Sequence, residues 1–306
     1  MQVHFGLPVL RLGPTALAMG SFDGVHLGHR VTLSRAVEVA AAERLSPSLI
    51  TFDPHPRCVL DPANCPQQIT TLEERLAEFR PLGFEHAVVV EFTRVLAGLS
   101  AQEFMDRVLA SMDLRHLVVG QDFALGRGRA GTVSWLREYG RKKGYEVDTV
   151  PLHQIDGEEV HSSEVRRLVT LGMVERAARL LGRPYTMTGL VEPGDRIGRQ
   201  LGFPTANLAV PPGKLVPARG IYAGWARTPM GRHQAAISVG YRPQFDKTDL
   251  RVEAFLLDFD GDLYQRRLEL EFVARLRDER RFPDVDALRE AIAADVERVR
   301  RILDAG

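Results

Sequence analysis

The chain has 306 residues, and its 40 Lys and Arg balance its 40 Asp and Glu, so the formal charge is zero. This length is about twice that of a typical domain and predicts two domains, each able to bury its own core. A net charge of zero disfavours bulk electrostatic binding to nucleic acid or to an anionic membrane.

Composition and cysteine usage narrow the class of protein. No stretch approaches about 18 consecutive apolar residues, and the N-terminus lacks a basic segment followed by an apolar one. Cys58 and Cys65 have six residues between them, so they form no CxxC pair and no disulfide framework. We therefore expect a soluble cytoplasmic protein, without a membrane span or a signal peptide.

In the first half of the chain, short apolar runs alternate with helical patterns. The runs are rich in Val, Ile, Leu and Phe, as in strands covered on both faces. The predicted strands are 16–22, 48–53, 86–92, 116–123 and 146–153. The predicted helices are 29–45, 71–79, 100–112 and 132–143, two of which begin with capping boxes at Thr71 and Ser100. This alternation favours a parallel, doubly wound sheet that binds ligands beyond the carboxyl ends of its strands.

The pattern changes near residue 183, where strands begin to follow one another at short spacing. The predicted strands are 185–191, 220–228, 233–239, 250–257 and 263–272. They indicate an antiparallel sandwich or barrel, and Asp260-Gly261 predicts a hairpin between the last two. A final helix at 285–303 has one apolar face. We therefore expect domains at 1–183 and 184–306.

The first predicted strand is followed by Gly20-Ser-Phe-Asp-Gly-Val-His-Leu-Gly-His29. His26 and His29 are three residues apart, so they share one face of a helix that begins here. Helix N-terminal N–H groups favour an anion, imidazoles can donate to phosphate oxygens, and Gly28 allows close approach. The pattern favours a phosphate site over two surface histidines, or over a metal pair for which no third ligand is evident.

A second glycine pattern, Gly126-Arg-Gly-Arg-Ala-Gly131, matches GxGxxG and is followed by Glu146. It suggests a dinucleotide-dependent oxidoreductase. However, it follows the fourth predicted strand rather than the first, and Glu146 begins a predicted strand instead of ending one. We therefore interpret it as a loop that contacts phosphate or is mobile.

The second half contains no GxxxxGK[ST] P-loop, but it contains Gly194-Asp-Arg-Ile-Gly-Arg-Gln-Leu-Gly-Phe-Pro-Thr-Ala-Asn207. Its three spaced glycines predict a flexible loop whose amides can wrap phosphates. Thr205 and Asn207 are two residues apart, so on an extended segment they face the same side and can offer oxygen ligands to Mg²⁺. A Gly/Pro turn between barrel strands explains the same residues without a ligand.

Motifs along the chain resemble two enzyme families. The segment 20–29 resembles the HxGH motif of nucleotidyltransferases, and its flanks resemble bacterial FAD synthetases. Three later segments agree: 51–56 (TFDPHP), 120–131, and 161–166 (HSSEVR), which resembles ISSTxIR. The segment 198–208 (GRQLGFPTANL) resembles the hallmark of riboflavin kinases. The order of these motifs resembles that of the bifunctional riboflavin kinase/FMN adenylyltransferases.

For the first domain, the resemblance implies an α/β, Rossmann-like nucleotidyltransferase fold that adenylylates FMN. His26 and His29 would be its catalytic residues. The residues that bind ATP and FMN would be Gly20, Ser21, Phe22, Asp23, Gly28, Asp122, Ser162, Ser163 and Arg166. The sequence departs from the family pattern at His161, where Ile is usual, and at Ala124-Leu125, where Arg-Phe is usual.

For the second domain, the resemblance implies an antiparallel β-barrel with a C-terminal helix. Thr205 and Asn207 would hold Mg²⁺ with ATP, and Glu253 would act as general base. Further ATP contacts would come from Gly194, Gly198, Arg199 and Gly202, and flavin contacts from Phe255, Arg277 and Phe282. The residues alone allow other interpretations. Glu253 could be an exposed strand residue in an ion pair, and Phe255 and Phe282 could simply pack in the core. Gln244 replaces the Thr of the family's GxxPTF pattern.

The resemblance implies ATP-dependent phosphorylation of riboflavin to FMN, followed by adenylylation of FMN to FAD with release of pyrophosphate. The expected partners are riboflavin, FMN, FAD and ATP with Mg²⁺, and neither nucleic acid nor membrane. Two alternatives remain from the sequence. The first domain adenylylates another phosphomonoester or only binds nucleotide, or the chain is the oxidoreductase suggested by the GxGxxG match.

Overall fold

The computed structural model describes residues 1–9, 11–155, 157–194, 198, 201–244 and 247–305. The chain forms two compact units, Met1–Ser162 and Ser163–Gly306. Each unit has its own apolar core. The predicted domain boundary near residue 183 stays a prediction.

The first unit is built on a parallel sheet. Its strands are β1 (Gln2–Phe5), β2 (Leu12–Met19), β3 (Ser46–Asp53), β4 (His86–Glu91), β5 (Met112–Gly120) and β8 (Glu146–Val150). Among the described residues they lie in the order β1-β4-β3-β2-β5-β8, and each neighbouring pair is parallel. The predicted sheet is confirmed, and β1 is an edge strand that the sequence analysis missed.

Helices cover this sheet. They are α1 (Leu27–Glu43), α2 (Pro56–Leu60), α3 (Leu72–Phe79), α4 (Arg94–Gly98), α5 (Ala101–Ser111) and α6 (Val133–Lys143). The capping boxes predicted at Thr71 and Ser100 are both present and start α3 and α5. The short helices α2 and α4 have no buried residue and were not predicted.

The sheet is buried on both faces, which explains why its strands read as continuous apolar runs. Alternate residues of β2 point to opposite sides. Leu17 and Met19 pack in a cluster with Phe104 of α5, whereas Ala18 packs in another cluster with Leu33 of α1. The predicted doubly wound arrangement is therefore confirmed.

Three predicted strands of this sheet end three residues earlier than expected. β2 ends at Met19 rather than at residue 22, β5 ends at Gly120 rather than at 123, and β8 ends at Val150 rather than at 153. The reason in β2 is local, because Phe22 has a φ of 50° and Val25 a φ of 41°, which no strand accommodates. The residues after these strand ends form loops at the carboxyl edge of the sheet.

The GxGxxG segment lies between β6 (Ala124–Leu125) and β7 (Gly131–Thr132), which form a short antiparallel pair. Its glycines allow close packing against the start of α5. A Cβ added at Gly126 would lie 2.5 Å from the Ala101 nitrogen, and one at Gly131 would lie 2.7 Å from the Ala101 Cβ. Close packing therefore explains why two of the three positions are glycine, and dinucleotide binding is not needed to account for them.

Cys58 and Cys65 form a disulfide. Helix α2 and a 3-10 turn at Pro62–Asn64 reverse the chain between them, so the two Cα atoms lie 4.2 Å apart. Two cysteines at this spacing match no metal or redox motif, so the sequence analysis did not anticipate the link. It closes one small loop and is not a framework, because this unit has an extensive apolar core.

The second unit is a closed barrel with flanking helices. Its helices are α7 (Ser162–Thr170), which begins at the last residue of the first unit, α8 (Val174–Leu181) and α9 (Val285–Asp304). Its strands are β11 (Tyr185–Glu192), β12 (Thr205–Leu208), β13 (Gly220–Thr228), β14 (Gly231–Gln244), β15 (Lys247–Leu256) and β16 (Arg267–Arg277). The short pair β9 (Gln154–Ile155) and β10 (Glu158–Glu159) belongs to the first unit.

Within the described residues the barrel order is β11-β12-β15-β14-β13-β16, and the paired strands are antiparallel. The predicted barrel is therefore confirmed. The predicted apolar face of the last helix is confirmed as well, because Val296, Val299 and Leu303 pack with Ala223 and Leu276 of the barrel.

The hairpin predicted at Asp260-Gly261 is wrong. β15 pairs with β12 and β14, whereas β16 pairs with β11 and β13, so the two strands are not neighbours. The turn dipeptide lies in a connection from 257 to 266 that joins non-adjacent strands. Closure of the barrel requires β16 to bridge β11 and β13, and this non-local pairing overrides the local turn signal.

The glycine loop yields a test of packing. Gly128 also has a positive φ, of 65°, but no atom lies within 4 Å of its added Cβ. We expect Gly128→Ala to cost about 1 kcal/mol of unfolding free energy through backbone strain. Gly126→Ala adds a clash with Ala101 and costs about 1–3 kcal/mol more.

The measurement is urea unfolding followed by Trp135 fluorescence in a Trp225→Phe background, which reports on the first unit. Equal destabilisation by the two substitutions would contradict the packing role of Gly126.

Candidate functional site

The two histidines of the first unit lie at the start of α1. His26 is its N-cap, and the His26 Nδ1 accepts a hydrogen bond from the His29 backbone N–H at 3.2 Å. The two rings are stacked, with centroids 3.6 Å apart, and His26 is only 5% exposed. The predicted pair is thus brought together, with one ring fixed by a capping bond.

The loop between β2 and α1 is held by buried hydrogen bonds. The Asp23 carboxylate accepts from the backbone N–H groups of Ile69 and Thr70, at 3.2 and 3.0 Å, and from the Thr70 hydroxyl. The Gly24 N–H donates to the same hydroxyl, and the Ser162 hydroxyl donates to the Asp23 carbonyl. Asp23 and Ser162, both predicted to bind ligand, therefore fix the loop itself.

Three more of the predicted residues lie in the same turn and leave little space around it. Phe22 is buried and its ring meets the edge of His29 at a centroid distance of 5.4 Å. A Cβ at Gly20 would lie 2.9 Å from the Phe22 ring, and one at Gly28 would lie 3.2 Å from the His26 ring. The two glycines are needed for this close packing.

The remaining predicted residues are less enclosed. Ser21 contributes its carbonyl, which accepts from Arg75 and Thr51. Asp122 is exposed in the turn after β5. Ser163 and Arg166 lie on α7 in the second unit. The ligand-binding roles of these residues stay predictions.

A cavity of about 620 Å³ runs beside α1 in the first unit. One wall is formed by the helix from Leu27 to Glu38, and the other by the chain from Asp148 to His153. Neither His26 nor His29 lines this cavity, although Leu27 directly follows the His26 cap.

In the second unit, strand pairing brings the predicted kinase residues together. β12 and β15 are antiparallel neighbours, and their register places Asn207 directly opposite Glu253 and Thr205 opposite Phe255. The Thr205 hydroxyl donates to the Glu253 carboxylate at 3.1 Å. Residues that lie about 50 positions apart in sequence thus form one polar group on the barrel.

Asn207 has an orphaned oxygen. Its Oδ1 is buried and has no hydrogen-bond partner among the described residues. A buried carbonyl oxygen without a partner is costly unless a ligand or cation satisfies it. Gly194 packs against this side chain, because a Cβ there would lie 2.1 Å from the Asn207 Nδ2. The amide therefore packs directly against a glycine of the predicted phosphate loop.

These residues line a cavity of about 490 Å³. The predicted site residues in its wall are Gly198, Thr205, Asn207, Glu253, Phe255, Arg277 and Phe282. Gly202, with a φ of 87°, lies in the connection before β12. Arg199 lies outside the described residues, and the side chain of Gln244 is not described.

Arg277 is engaged within the protein. Its Nη2 donates to the Asp295 carboxylate at 2.6 Å and its Nε donates to both carboxylate oxygens. Its guanidinium also lies 5.7 Å from the centre of the Phe282 ring. Sequence reasoning missed Asp295, although its position in the cavity wall on α9 makes it part of the site.

Comparison with known proteins follows the same two-part division. The family model for FAD synthetase matches residues 11–164. The family model for riboflavin kinase matches residues 181–303. A bifunctional riboflavin kinase/FMN adenylyltransferase from Listeria monocytogenes is 36% identical over 89% of this chain and 87% of its own length. The chain belongs to this bifunctional family.

Other members agree along the whole sequence. The bifunctional riboflavin kinase/FMN adenylyltransferase from Pseudomonas fluorescens is 35% identical over 93% of this chain and 91% of its own. The one from Escherichia coli K12 is 33% identical over 91% of this chain and 90% of its own. This chain is therefore a transferase that combines an FAD synthetase domain and a riboflavin kinase domain.

A solved structure has the same fold. A crystal structure named as a macrolide-efflux protein from Streptococcus pneumoniae superposes with a TM-score of 0.89 and 29% identity, covering 97% of this chain and 98% of that one. Among the described residues of this chain, no helix is long and apolar enough to cross a membrane.

The Arg277–Asp295 pair in the cavity wall yields a stability prediction. We expect Asp295→Asn to lower the unfolding free energy of the second unit by about 1.5–3 kcal/mol, because a charged hydrogen-bonded partner of Arg277 is lost. Glu297→Gln, an exposed change on the same helix, is the matched control.

Urea unfolding followed by Trp225 fluorescence in a Trp135→Phe background measures the effect. A destabilisation no larger than that of the control would show that the pair does not hold this wall of the cavity.

Proposed function

We propose that the two activities of the family reside in separate sites of this chain. The barrel transfers a phosphoryl group from ATP to the 5′-hydroxyl of riboflavin. The α/β domain then lets the FMN phosphate attack the α-phosphorus of a second ATP, so that FAD forms and pyrophosphate leaves. The observation that carries the proposal is the convergence of Thr205, Asn207 and Glu253 on one cavity of the second unit. The first unit has its own, independent histidine pair on α1.

In the kinase site, Glu253 accepts the proton of the riboflavin hydroxyl as that oxygen attacks phosphorus. The hydrogen bond from Thr205 at 3.1 Å orients the Glu253 carboxylate. The same carboxylate is also held by the register that sets it opposite Asn207. Phe255 and Phe282 give the cavity aromatic walls suited to a flat ring system.

Mg²⁺ fits this site as a companion of ATP. Asn207 Oδ1 is a buried acceptor with no partner among the described residues, and the Thr205 hydroxyl is two positions away on the same strand. Both are oxygen ligands of the kind that Mg²⁺ accepts beside phosphate oxygens. When bound, the cation neutralises charge that develops on the transferred phosphoryl group.

In the adenylyltransferase site, His26 and His29 stabilise the charge on the phosphates of ATP. The His26 Nδ1 accepts the His29 N–H, so the neutral ring carries its proton on Nε2 and can donate from there. The positive end of α1 adds to this stabilisation. No covalent enzyme intermediate is needed, because the FMN phosphate is itself the nucleophile.

The remaining assignments belong to the same proposal. We set the domains at 1–183 and 184–306, because the riboflavin kinase model begins at 181. The expected location is the cytoplasm, and the expected partners are riboflavin, FMN, FAD and ATP rather than nucleic acid or membrane. The oxidoreductase alternative loses support, since two of the three GxGxxG glycines are explained by packing on Ala101.

Single substitutions separate the two activities. We expect His29→Ala to lower FMN-to-FAD conversion by about 10²–10³-fold, because one preorganised donor is lost, and to leave riboflavin phosphorylation intact. Glu253→Ala and Asn207→Ala have the opposite effect.

Chromatographic separation of riboflavin, FMN and FAD measures the two steps in separate incubations with ATP and Mg²⁺, one started from riboflavin and the other from supplied FMN. A folded variant that lost both activities equally would refute the assignment of two sites.

Gly194 tests the orientation of Asn207. A methyl group at this position displaces the amide, so we expect Gly194→Ala to lower kinase kcat/KM by about 10²-fold, as a displacement of about 1 Å does in enzymes. FAD formation from supplied FMN stays unchanged. Gly213→Ala, where no atom lies within 4 Å of the added Cβ, controls for a general loss of stability. Full kinase activity of Gly194→Ala would disprove the role of this glycine.

A further inference from the structure

Arg75 is a buried charged residue that the proposed mechanism does not use. It lies on α3 and is only 2% exposed. Its Nη1 donates to the Ser21 carbonyl at 2.7 Å and to the Phe52 carbonyl at 3.2 Å, and its Nη2 lies 3.3 Å from Asp53 Oδ1. One guanidinium therefore links the chain after β2 to the carboxyl end of β3.

Burial of this group is unfavourable by itself. Desolvation lowers the pKa of Arg75 below its usual range, and the charges of Asp23 and Asp53 only partly oppose that effect. Arg75 also occupies the apolar stripe of α3, between Leu72 and Phe79. An apolar side chain of similar volume would often be as stable in such a place, so stability alone does not account for the arginine.

The linked segment needs external support. The Ser21 carbonyl accepts from Arg75 and also from the Thr51 hydroxyl at 3.0 Å. The next residue, Phe22, has a left-handed φ of 50°, and Val25 has one of 41°. Such conformations are strained for residues other than glycine and persist only where the surroundings impose them. The bonds from Arg75 and Thr51 therefore fix the turn immediately before the left-handed residues.

We infer that Arg75 is a positioning residue for adenylyl transfer. It holds the Ser21 carbonyl and the end of β3, and thereby sets the turn that leads into the His26 cap and the first turn of α1. Arg75 does not contact the reacting groups, and it acts through the turn. The fork shape of the guanidinium is required, because a single ammonium group cannot bridge two carbonyls and a carboxylate in the same way. This inference rests on the proposed adenylyltransferase function.

The experiment compares Arg75→Lys and Arg75→Met with Val108→Ala, which opens a cavity in the core of the same unit on the other side of the sheet. We expect Arg75→Met to lower kcat for FAD formation by about 10²-fold, as misplacement of a site by about 1 Å does. Arg75→Lys recovers only part of that loss. Riboflavin phosphorylation, measured on the same samples, stays unchanged and shows that each variant is intact in its second unit.

A second readout separates positioning from a loss of overall stability. The Gly24 and Val25 amides donate to Thr70 Oγ1 and to the Phe22 carbonyl. Hydrogen exchange followed by mass spectrometry should therefore be faster in the peptide that holds residues 20–25 of Arg75→Lys, and unchanged there in Val108→Ala. Arg75→Lys keeps a charge beside Asp53, so it decides the question if Arg75→Met does not fold.

Three results would overturn the inference: wild-type kcat in Arg75→Lys and Arg75→Met, complete rescue by lysine, or an equal loss of FAD formation in Val108→Ala. Failure of the proposed function is a different outcome, because the unmodified chain would then form no FAD from FMN and ATP.

Discussion

The segment between β2 and α1 is held in a conformation that its own residues disfavour. Phe22 and Val25 have left-handed backbones without being glycine, and buried polar bonds from Asp23, Thr70 and Arg75 impose this shape. Burying these charged and polar groups is unfavourable, but their hydrogen bonds fix the position at which α1 begins. The stacked histidine pair at the N-cap of α1 depends on that placement.

In the barrel, the register of paired strands positions the candidate site residues. Asn207 and Glu253 face each other because β12 and β15 pair in one alignment. A slip of one residue would turn both side chains to the other face of the sheet. Closure of the barrel excludes such a slip, since every strand is fixed by two neighbours. The residues that we propose as general base and cation ligand are therefore positioned by backbone bonds, with only the Thr205 hydroxyl added.

The sequence predicted what local physics determines. Capping at Thr71 and Ser100, the apolar strands of the sheet and the face of α9 were all correct. Several of the errors concern contacts between distant segments. The hairpin at 260–261 failed because barrel closure decides which strands pair. Asp295 was missed because its partner is 18 residues away. One feature of the sequence pointed to Arg75: it is a charged residue at a position where the helical spacing of α3 predicts an apolar one.

Glycine motifs show why spacing alone does not define a site. Gly126 and Gly194 both belong to glycine-rich loops near strand ends, and both exclude a side chain. At Gly126 the excluded space belongs to the backbone of Ala101, so the glycine serves packing. At Gly194 it belongs to the amide of Asn207, whose oxygen has no partner in the described part of the chain. The same residue type thus packs one loop on a helix and, in the other loop, leaves room for an amide that we propose to bind a ligand. The neighbouring atoms distinguish the two cases.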